Sequence, residues 1–354
     1  MNVDVRPPRP PVEGRSAWIG AELASNPDAW TYRLSPAEIG EIEAATAAVR
    51  ARNIDIAAIS RTDFPLPTLG ATLDRLRDEI LNGRGFVLIR GLPVNDRPIA
   101  DSATAYWGIG TYFGSARSQN AKGHVLGHVR DLGLATSDPR VRTYQTTERQ
   151  HFHTDSCDIV GLLCLKTAKR GGLSSLTSSM SIYNAMAAQR PDLLRRLFTP
   201  FAVDRRGEVP EGERPWFDLP VFNDHAGYLS VIFSGPYIRS SQRFPDARRL
   251  TPEDLEALEM FERLSEDPEL RLDMELQPGD MQFVHNHTTL HDRTAFEDWP
   301  EPDRKRHLLR LWLAAPGARP LPPAYAQRYG SVEIGNRGGI ICRDTKLHAP
   351  LEPV

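Results

Sequence analysis

Two histidine-centred segments constrain this chain more than any other feature: His153-Thr154-Asp155 near the middle and His291-Asp292-Arg293-Thr294 far downstream. Residues two apart on an extended strand share a face, so His153 and Asp155 present an imidazole and a carboxylate side by side. His291 offers a second imidazole from a remote segment. Two histidines and one carboxylate on one side of a metal make the facial triad of non-heme Fe(II) sites, with the opposite positions open. Segments so far apart meet with fixed geometry only if both lie on adjacent strands of a rigid sheet core.

Composition narrows the alternatives. With 354 residues and 40% hydrophobic content the chain can bury a substantial core. Its 43 basic and 46 acidic side chains give a formal net charge of −3 without long single-sign blocks, which speaks against nucleic acid or an anionic membrane as partner. Cys157, Cys164 and Cys342 are sparse and odd in number, as in a reducing compartment. No segment approaches membrane-spanning length and the N-terminus lacks an apolar leader, so a cytoplasmic protein is expected.

Residues 1–15 carry Pro7, Pro8, Pro10 and Pro11 and read as a flexible tail, with order beginning near Trp18. Residues 16–354 read as one domain: a helical N-terminal part, a core over about 80–315, and a C-terminal extension, 316–354. Ser35-Pro36-Ala37-Glu38 opens a helix with Ile39, Ile42, Thr46 and Val49 at helical spacing. A second helix follows Thr68, with Leu69, Leu73, Leu76 and Ile80 on one face and Gly83 as its stop. Helical patterns recur over 181–198, interrupted at Pro191, and after Thr251-Pro252, with Leu255, Leu258, Phe261 and Leu264.

Phe86-Val87-Leu88-Ile89, between Gly85 and Gly91, has the pattern of a strand buried on both faces. Leu270, Leu272, Met274 and Leu276 alternate with polar residues before Pro278-Gly279, and 281–286 reads as the return strand of a hairpin. Leu308–Leu313 is a further apolar strand. Helices and strands do not alternate as in a doubly wound sheet, so the expected fold is mainly β with helical elaborations around a double-stranded β-helix, or jelly-roll, core.

Arg306 and Arg310, four apart on that last expected strand, face the same way as Leu308 and Trp312. The run between them is too apolar for an exposed strand, and a buried arginine wants an anion. A keto-acid co-substrate such as 2-oxoglutarate, chelating iron, needs such a cation for its far carboxylate.

The chain resembles the taurine dioxygenase and clavaminate synthase-like family of Fe(II)/2-oxoglutarate-dependent dioxygenases over roughly residues 80–315, judged by motif order. The segments that carry the resemblance are Gly85–Gly91, Phe152–Asp155, Gly171-Gly172-Leu173-Ser174, Pro278-Gly279-Asp280, Asn286, His291–Thr294 and Arg306–Arg310. It implies that His153, Asp155 and His291 bind iron and that Arg306 pairs with the distal carboxylate of 2-oxoglutarate. It implies too that Ser174, with Thr177 as the nearby substitute, contacts the co-substrate, and that Arg310 lies toward the substrate or assists 2-oxoglutarate. Hydroxylation of a small organic or amino acid, with release of succinate and CO₂, is the implied activity. Relatives that halogenate lack the carboxylate that Asp155 supplies here.

Several histidines compete for the role of distal ligand. His285 and His287 share parity with His291 if the strand runs straight through; the resemblance favours His291, because Asn286 and the tripeptide His291-Asp292-Arg293 fix the register. His151 shares parity with His153 and reads as solvated or as part of the substrate pocket. His124, His128, His225, His307 and His348 are given no metal role. The resemblance implies substrate walls from 115–150 and 205–245, with Tyr144, Phe152, Tyr237, Arg239 and Arg310 as candidates. A jelly-roll metal enzyme without 2-oxoglutarate, and a non-catalytic ligand-binding jelly roll, stay open as rivals, as does a homo-oligomer.

Overall fold

A computed structural model describes residues 8–134 and 141–353. Residues 1–7 of the proline-rich stretch, 135–140 of the expected substrate wall, and residue 354 lie outside the described residues. The two main sheets are built, in chain order, from β1 (Thr31–Arg33), β2 (Phe86–Arg90), β3 (Ser115–Ala116), β4 (Gly127–Val129), β5 (Gln150–His153), β6 (Ile159–Lys166), β7 (Ser174–Ser178), β8 (Arg271–Met274), β9 (Met281–His285), β10 (Thr289–Arg293) and β11 (His307–Ala314). The larger, seven-stranded sheet runs β1-β2-β9-β6-β11-β3, with β4 also paired to β11; the smaller runs β8-β7-β10-β5.

Strand parity divides the side chains of the two sheets among three packed interfaces. Val87, Ile89, Phe283, Leu309, Leu311 and Leu313 leave the larger sheet on one face and pack against the N-terminal helices. Phe86, Leu88, Val160, Leu308 and Trp312 leave it on the other and meet Leu176, Leu272 and Met274 of the smaller sheet. The outer face of the smaller sheet, through Phe152 and Leu290, is covered by helices Ser179–Gln189, Pro191–Arg196 and Pro252–Ser265. The fold is therefore mainly β sheet clad in helices, with its chemistry available between the sheets.

The helices form where the sequence supplies caps and an apolar stripe. Helix Pro36–Ala51 opens with a closed capping box: Ser35 Oγ accepts from the Glu38 amide, and Glu38 accepts from the Ser35 amide. Helix Leu69–Asn82 starts after Thr68, ends at Gly83 and buries Leu69, Leu73 and Ile80. In helix Pro252–Ser265, Leu258, Phe261 and Leu264 are buried while Leu255 lies exposed. Asp254, the capping-box acid, is buried there and accepts from Arg196 and Arg248.

The expected hairpin across Pro278-Gly279 is not formed. β8 pairs with β7 in the smaller sheet, while β9 pairs with β2 and β6 in the larger, so the turn carries the chain between sheets. Gly279 has φ +90°, and a Cβ there would fall 2.0 Å from the Leu92 carbonyl oxygen. Asp280 then takes a two-pronged hydrogen bond from Arg90, at 2.8 and 2.7 Å. The proline-rich tail is also less free than expected from residue 8 onward. Arg9 and Val12 exchange backbone hydrogen bonds with the Tyr183 hydroxyl and the Asn184 amide.

The C-terminal extension is anchored by a buried ion pair. The Arg337 guanidinium meets Asp158 Oδ1 at 2.7 Å, with both side chains fully buried, and His287 Nε2 lies 3.0 Å from the same oxygen. Asp158 Oδ2 accepts from the Ala315 amide. Arg337→Met is expected to strand a buried carboxylate and to lower unfolding stability by about 3–5 kcal/mol. Urea unfolding followed by fluorescence measures it, and an unshifted midpoint would mean that the extension does not depend on this pair.

Candidate active site

His153 and His291 stand directly opposite one another where β5 pairs antiparallel with β10. A register shift follows at once, between His291 and Arg293, so that Arg293 pairs with Gln150. Asp155 departs from the expected same-strand geometry, because β5 ends at His153 and the carboxylate sits in the loop beyond. That loop is pinned: the Asn286 side-chain oxygen accepts from the Asp155 amide at 2.9 Å, and Thr154 and Phe233 bond through backbone and hydroxyl. Asp155 Oδ1 lies 3.7 Å from His153 Nε2 and Oδ2 lies 3.6 Å from His291 Nε2. One ligand atom from each of the three falls within 4.8 Å of the others.

The surroundings tune each donor. His153 Nδ1 donates to the His151 carbonyl at 2.8 Å, which leaves the Nε2 lone pair for the centre of the site. The Gln150 amide nitrogen lies 2.9 Å from that Nε2. Burial, with help from His291, lowers the His153 pKa to about 3, so the ring is neutral and able to ligate. Burial alone would raise the Asp155 pKa, but Arg310, at 3.6 Å, and the two imidazoles outweigh it and hold the carboxyl below its usual range. Trp312 Nε1 donates to Asp155 Oδ2 at 2.8 Å. Two imidazole nitrogens and one carboxylate oxygen, gathered at the border of two cavities, suit a divalent iron with open positions.

His153 and Arg310 line both cavities. The smaller recess is bounded by Ser174, His291, Arg293, Arg306 and Leu308. Arg306, just ahead of β11 rather than on it, is 5% exposed, and its Nη1 has no hydrogen-bond partner among the described residues. Burial depresses its pKa to about 10, the mark of a cation in want of an anion. Gly172, at φ +73°, makes room for it, since a Cβ there would lie 3.0 Å from Arg306 Nε. An orphaned guanidinium next to three convergent metal donors fits the far carboxylate of a chelating keto acid.

Ser174 points into this recess and donates to Gln282 at 3.0 Å. Thr177 is excluded as its substitute: odd spacing turns it to the outer face, where its hydroxyl donates to the Ser265 carbonyl. His285 and His287 do not compete with His291, because β9 ends at His285 and the chain changes sheet before β10. His285 bonds to Thr288 and His287 to Asp158.

The larger cavity, about 150 Å³, takes its walls from the two expected segments and includes Tyr144, Tyr237 and Arg310. Two other candidates fall away: Phe152 is buried in the outer core, and Arg239 is spent on Glu262. His151 borders this cavity, exposed and beside Glu266. Sequence reasoning missed Gln119, which accepts from Arg310 Nε at 2.7 Å, Arg142 with its partner Glu208, and Arg328 of the extension. None belongs to a local motif. The donor role of Trp312 had a sequence signal, since its parity with Arg310 aims it between the sheets.

A family model, taurine catabolism dioxygenase TauD, TfdA family, matches residues 46–312. FR-33289 synthase of Streptomyces rubellomurinus (strain ATCC 31215) is 33% identical over 331 residues, 90% of this chain and 95% of that protein. Taurine hydroxylase-like protein SAT17 of Stachybotrys chartarum (strain CBS 109288 / IBT 7711) is 30% identical over 85% of this chain and 81% of that one. Among solved structures, asparagine oxygenase superposes with a TM-score of 0.63 at 16% identity, covering 90% of this chain and 99% of that one. The non-heme iron oxygenase OrfP in complex with Fe and alpha-ketoglutaric acid gives 0.60 at 15%, covering 80% and 93%. The chain belongs to the TauD, TfdA family of dioxygenases. No helix among the described residues is long and apolar enough to cross a membrane.

Proposed function

We propose that His153, Asp155 and His291 hold Fe(II), that Arg306 and Ser174 receive 2-oxoglutarate in the smaller recess, and that a small amino acid or related organic acid is hydroxylated in the larger cavity. The observation that carries this reading is the convergence of the three donors at the border of two cavities, one containing an unpaired buried arginine. The substrate class draws support from neighbours of the same fold: asparagine oxygenase is solved with 2S,3S-3-hydroxyasparagine and succinate, and OrfP with (3S)-hydroxy-L-Arg. The two facing sheets are read as the halves of a double-stranded β-helix, which the direct pairing of His153 with His291 supports. The body from residue 16 is read as one cytoplasmic domain, into which Arg337 ties the extension.

Bound iron, with 2-oxoglutarate as electron donor, supplies the activation of O₂ that oxidises a C–H bond and yields succinate and CO₂. The chain's own groups prepare for that chemistry. The His151 carbonyl fixes the His153 tautomer, and the Trp312 indole and Arg310 keep the Asp155 carboxylate ionised and oriented. Arg306 offers a planar fork to the co-substrate's far end, and the apolar walls around Leu308 and Val160 keep water away.

Trp312→Phe removes one donor to Asp155 while keeping an aromatic ring. Its expected effect is a loss of iron affinity of about 10–100-fold, read by titrating metal-free protein with Fe(II) under argon. Unchanged affinity would assign the indole a packing role only. The function itself is tested by screening amino and organic acids for stimulated succinate release. Absence of any succinate from the iron- and 2-oxoglutarate-loaded protein would contradict it.

A further inference from the structure

The larger cavity contains four arginines, and three of them are already neutralised. Arg142 pairs with Glu208, Arg149 with Asp292 and Glu266, and Arg310 lies 3.6 Å from Asp155. Arg328 differs. Among the described residues no carboxylate lies within salt-bridge reach of it, and its one hydrogen bond is from Nε to the Ser156 hydroxyl, at 2.6 Å. The two terminal nitrogens of its fork are left for whatever occupies the cavity. Burial lowers its pKa, and Glu208, Arg142 and Tyr237 are near enough for their charges to act on it.

The segment that carries Arg328 is held firmly. Tyr325 is fully buried, its hydroxyl accepting from Asn223; the Gln327 carbonyl accepts from Arg205 at 2.6 Å; and the Gly338 amide donates to the Tyr329 carbonyl. Tyr329 Oη reaches the Asp155 carbonyl at 3.4 Å, and Ser156, which anchors Arg328, is the residue after Asp155. The guanidinium is thus pre-positioned beside the metal-donor loop by a segment beyond the family match, which ends at residue 312.

We infer that Arg328 is a substrate-anchoring residue, selecting small molecules that carry an oxyanion group (carboxylate, sulfonate, or phosphate or phosphonate) and holding that group with its free fork while the carbon chain extends toward the triad. The inference rests on the assignment of the larger cavity to substrate. It is distinct from the co-substrate pocket, where Arg306 plays the matching part for 2-oxoglutarate. A fork fixed at Nε and open at both Nη atoms makes two parallel charge-assisted bonds to any of these oxyanions, and a neutral amide offers it far less.

The test is calorimetric binding to protein loaded with Fe(II) and 2-oxoglutarate under argon, with butyrate, propanesulfonate and propylphosphonate compared with neutral butanamide. At least one anion is expected to bind about 30-fold or more tightly than the amide, and Arg328→Gln to erase that preference. Arg328→Lys, which keeps charge without the fork, should recover part of it, and Ser156→Ala should weaken it less than Arg328→Gln does. Iron content and 2-oxoglutarate affinity should hold constant throughout. Failure of every anion to bind, equal binding of the amide, or full anion affinity in Arg328→Gln would overturn the inference. The wider assignment is read separately: if the wild type forms no succinate from iron and 2-oxoglutarate, that assignment has failed, whatever the binding series gives.

Discussion

Replacing His153, Asp155 or His291 singly by alanine is expected to drop iron content from about one equivalent to under a tenth, and to abolish succinate formation, in protein that still folds. Loss of an outer partner of a ligand typically costs 10–100-fold in metal affinity, so loss of a ligand itself should cost more than about 100-fold. The fold should survive because the three side chains border cavities instead of filling the core. His287→Ala supplies the contrast. It removes a fully buried ring from Asp158 and should lower stability, while the folded fraction keeps its iron. Iron analysis beside thermal melts separates these outcomes; full iron in His291→Ala with loss in His287→Ala would reverse the assignment of the distal ligand.

Arg306→Ala is expected to raise the 2-oxoglutarate requirement while iron binding stays near normal. Truncating one partner of a buried charged pair costs about 2–5 kcal/mol, or roughly 30-fold to several thousand-fold in affinity. Arg306→Lys should rescue little, since a point charge does not reproduce the bidentate fork. Arg310→Ala should act on substrate use, because its guanidinium lies over the Tyr144 ring in the larger cavity, and on iron affinity through Asp155, more than on the 2-oxoglutarate requirement. Titrating 2-oxoglutarate against all three variants decides the matter. A larger co-substrate defect in Arg310→Ala than in Arg306→Ala would exchange their roles.

Strand parity makes part of the inner site legible in the sequence. The inward set Leu308, Arg310 and Trp312 follows from the period-two geometry of strands, whereas the meeting of His153 with His291 follows from the demand that three donors share one metal. Parity misled wherever a strand ended unseen. His285 and His287 looked aligned with His291 only because the break at residues 286–288 has no strong local signal, and the expected hairpin at Pro278-Gly279 failed because a turn sequence does not say which sheet receives the next strand. The walls of the larger cavity were legible as segments but not as residues. Arg142, Glu208 and Arg328 come from separate segments of the chain, and only tertiary packing brings them together.

The central claim is that one triad and one arginine jointly create the co-substrate site, and an anaerobic titration tests it most directly. Wild-type protein loaded with Fe(II) and titrated with 2-oxoglutarate should develop a weak visible charge-transfer band that saturates at about one equivalent. In Arg306→Ala the same band should need far more 2-oxoglutarate, and in His291→Ala it should not form. A wild type that binds iron but gives no band, or a band that persists unchanged in His291→Ala, would contradict the account.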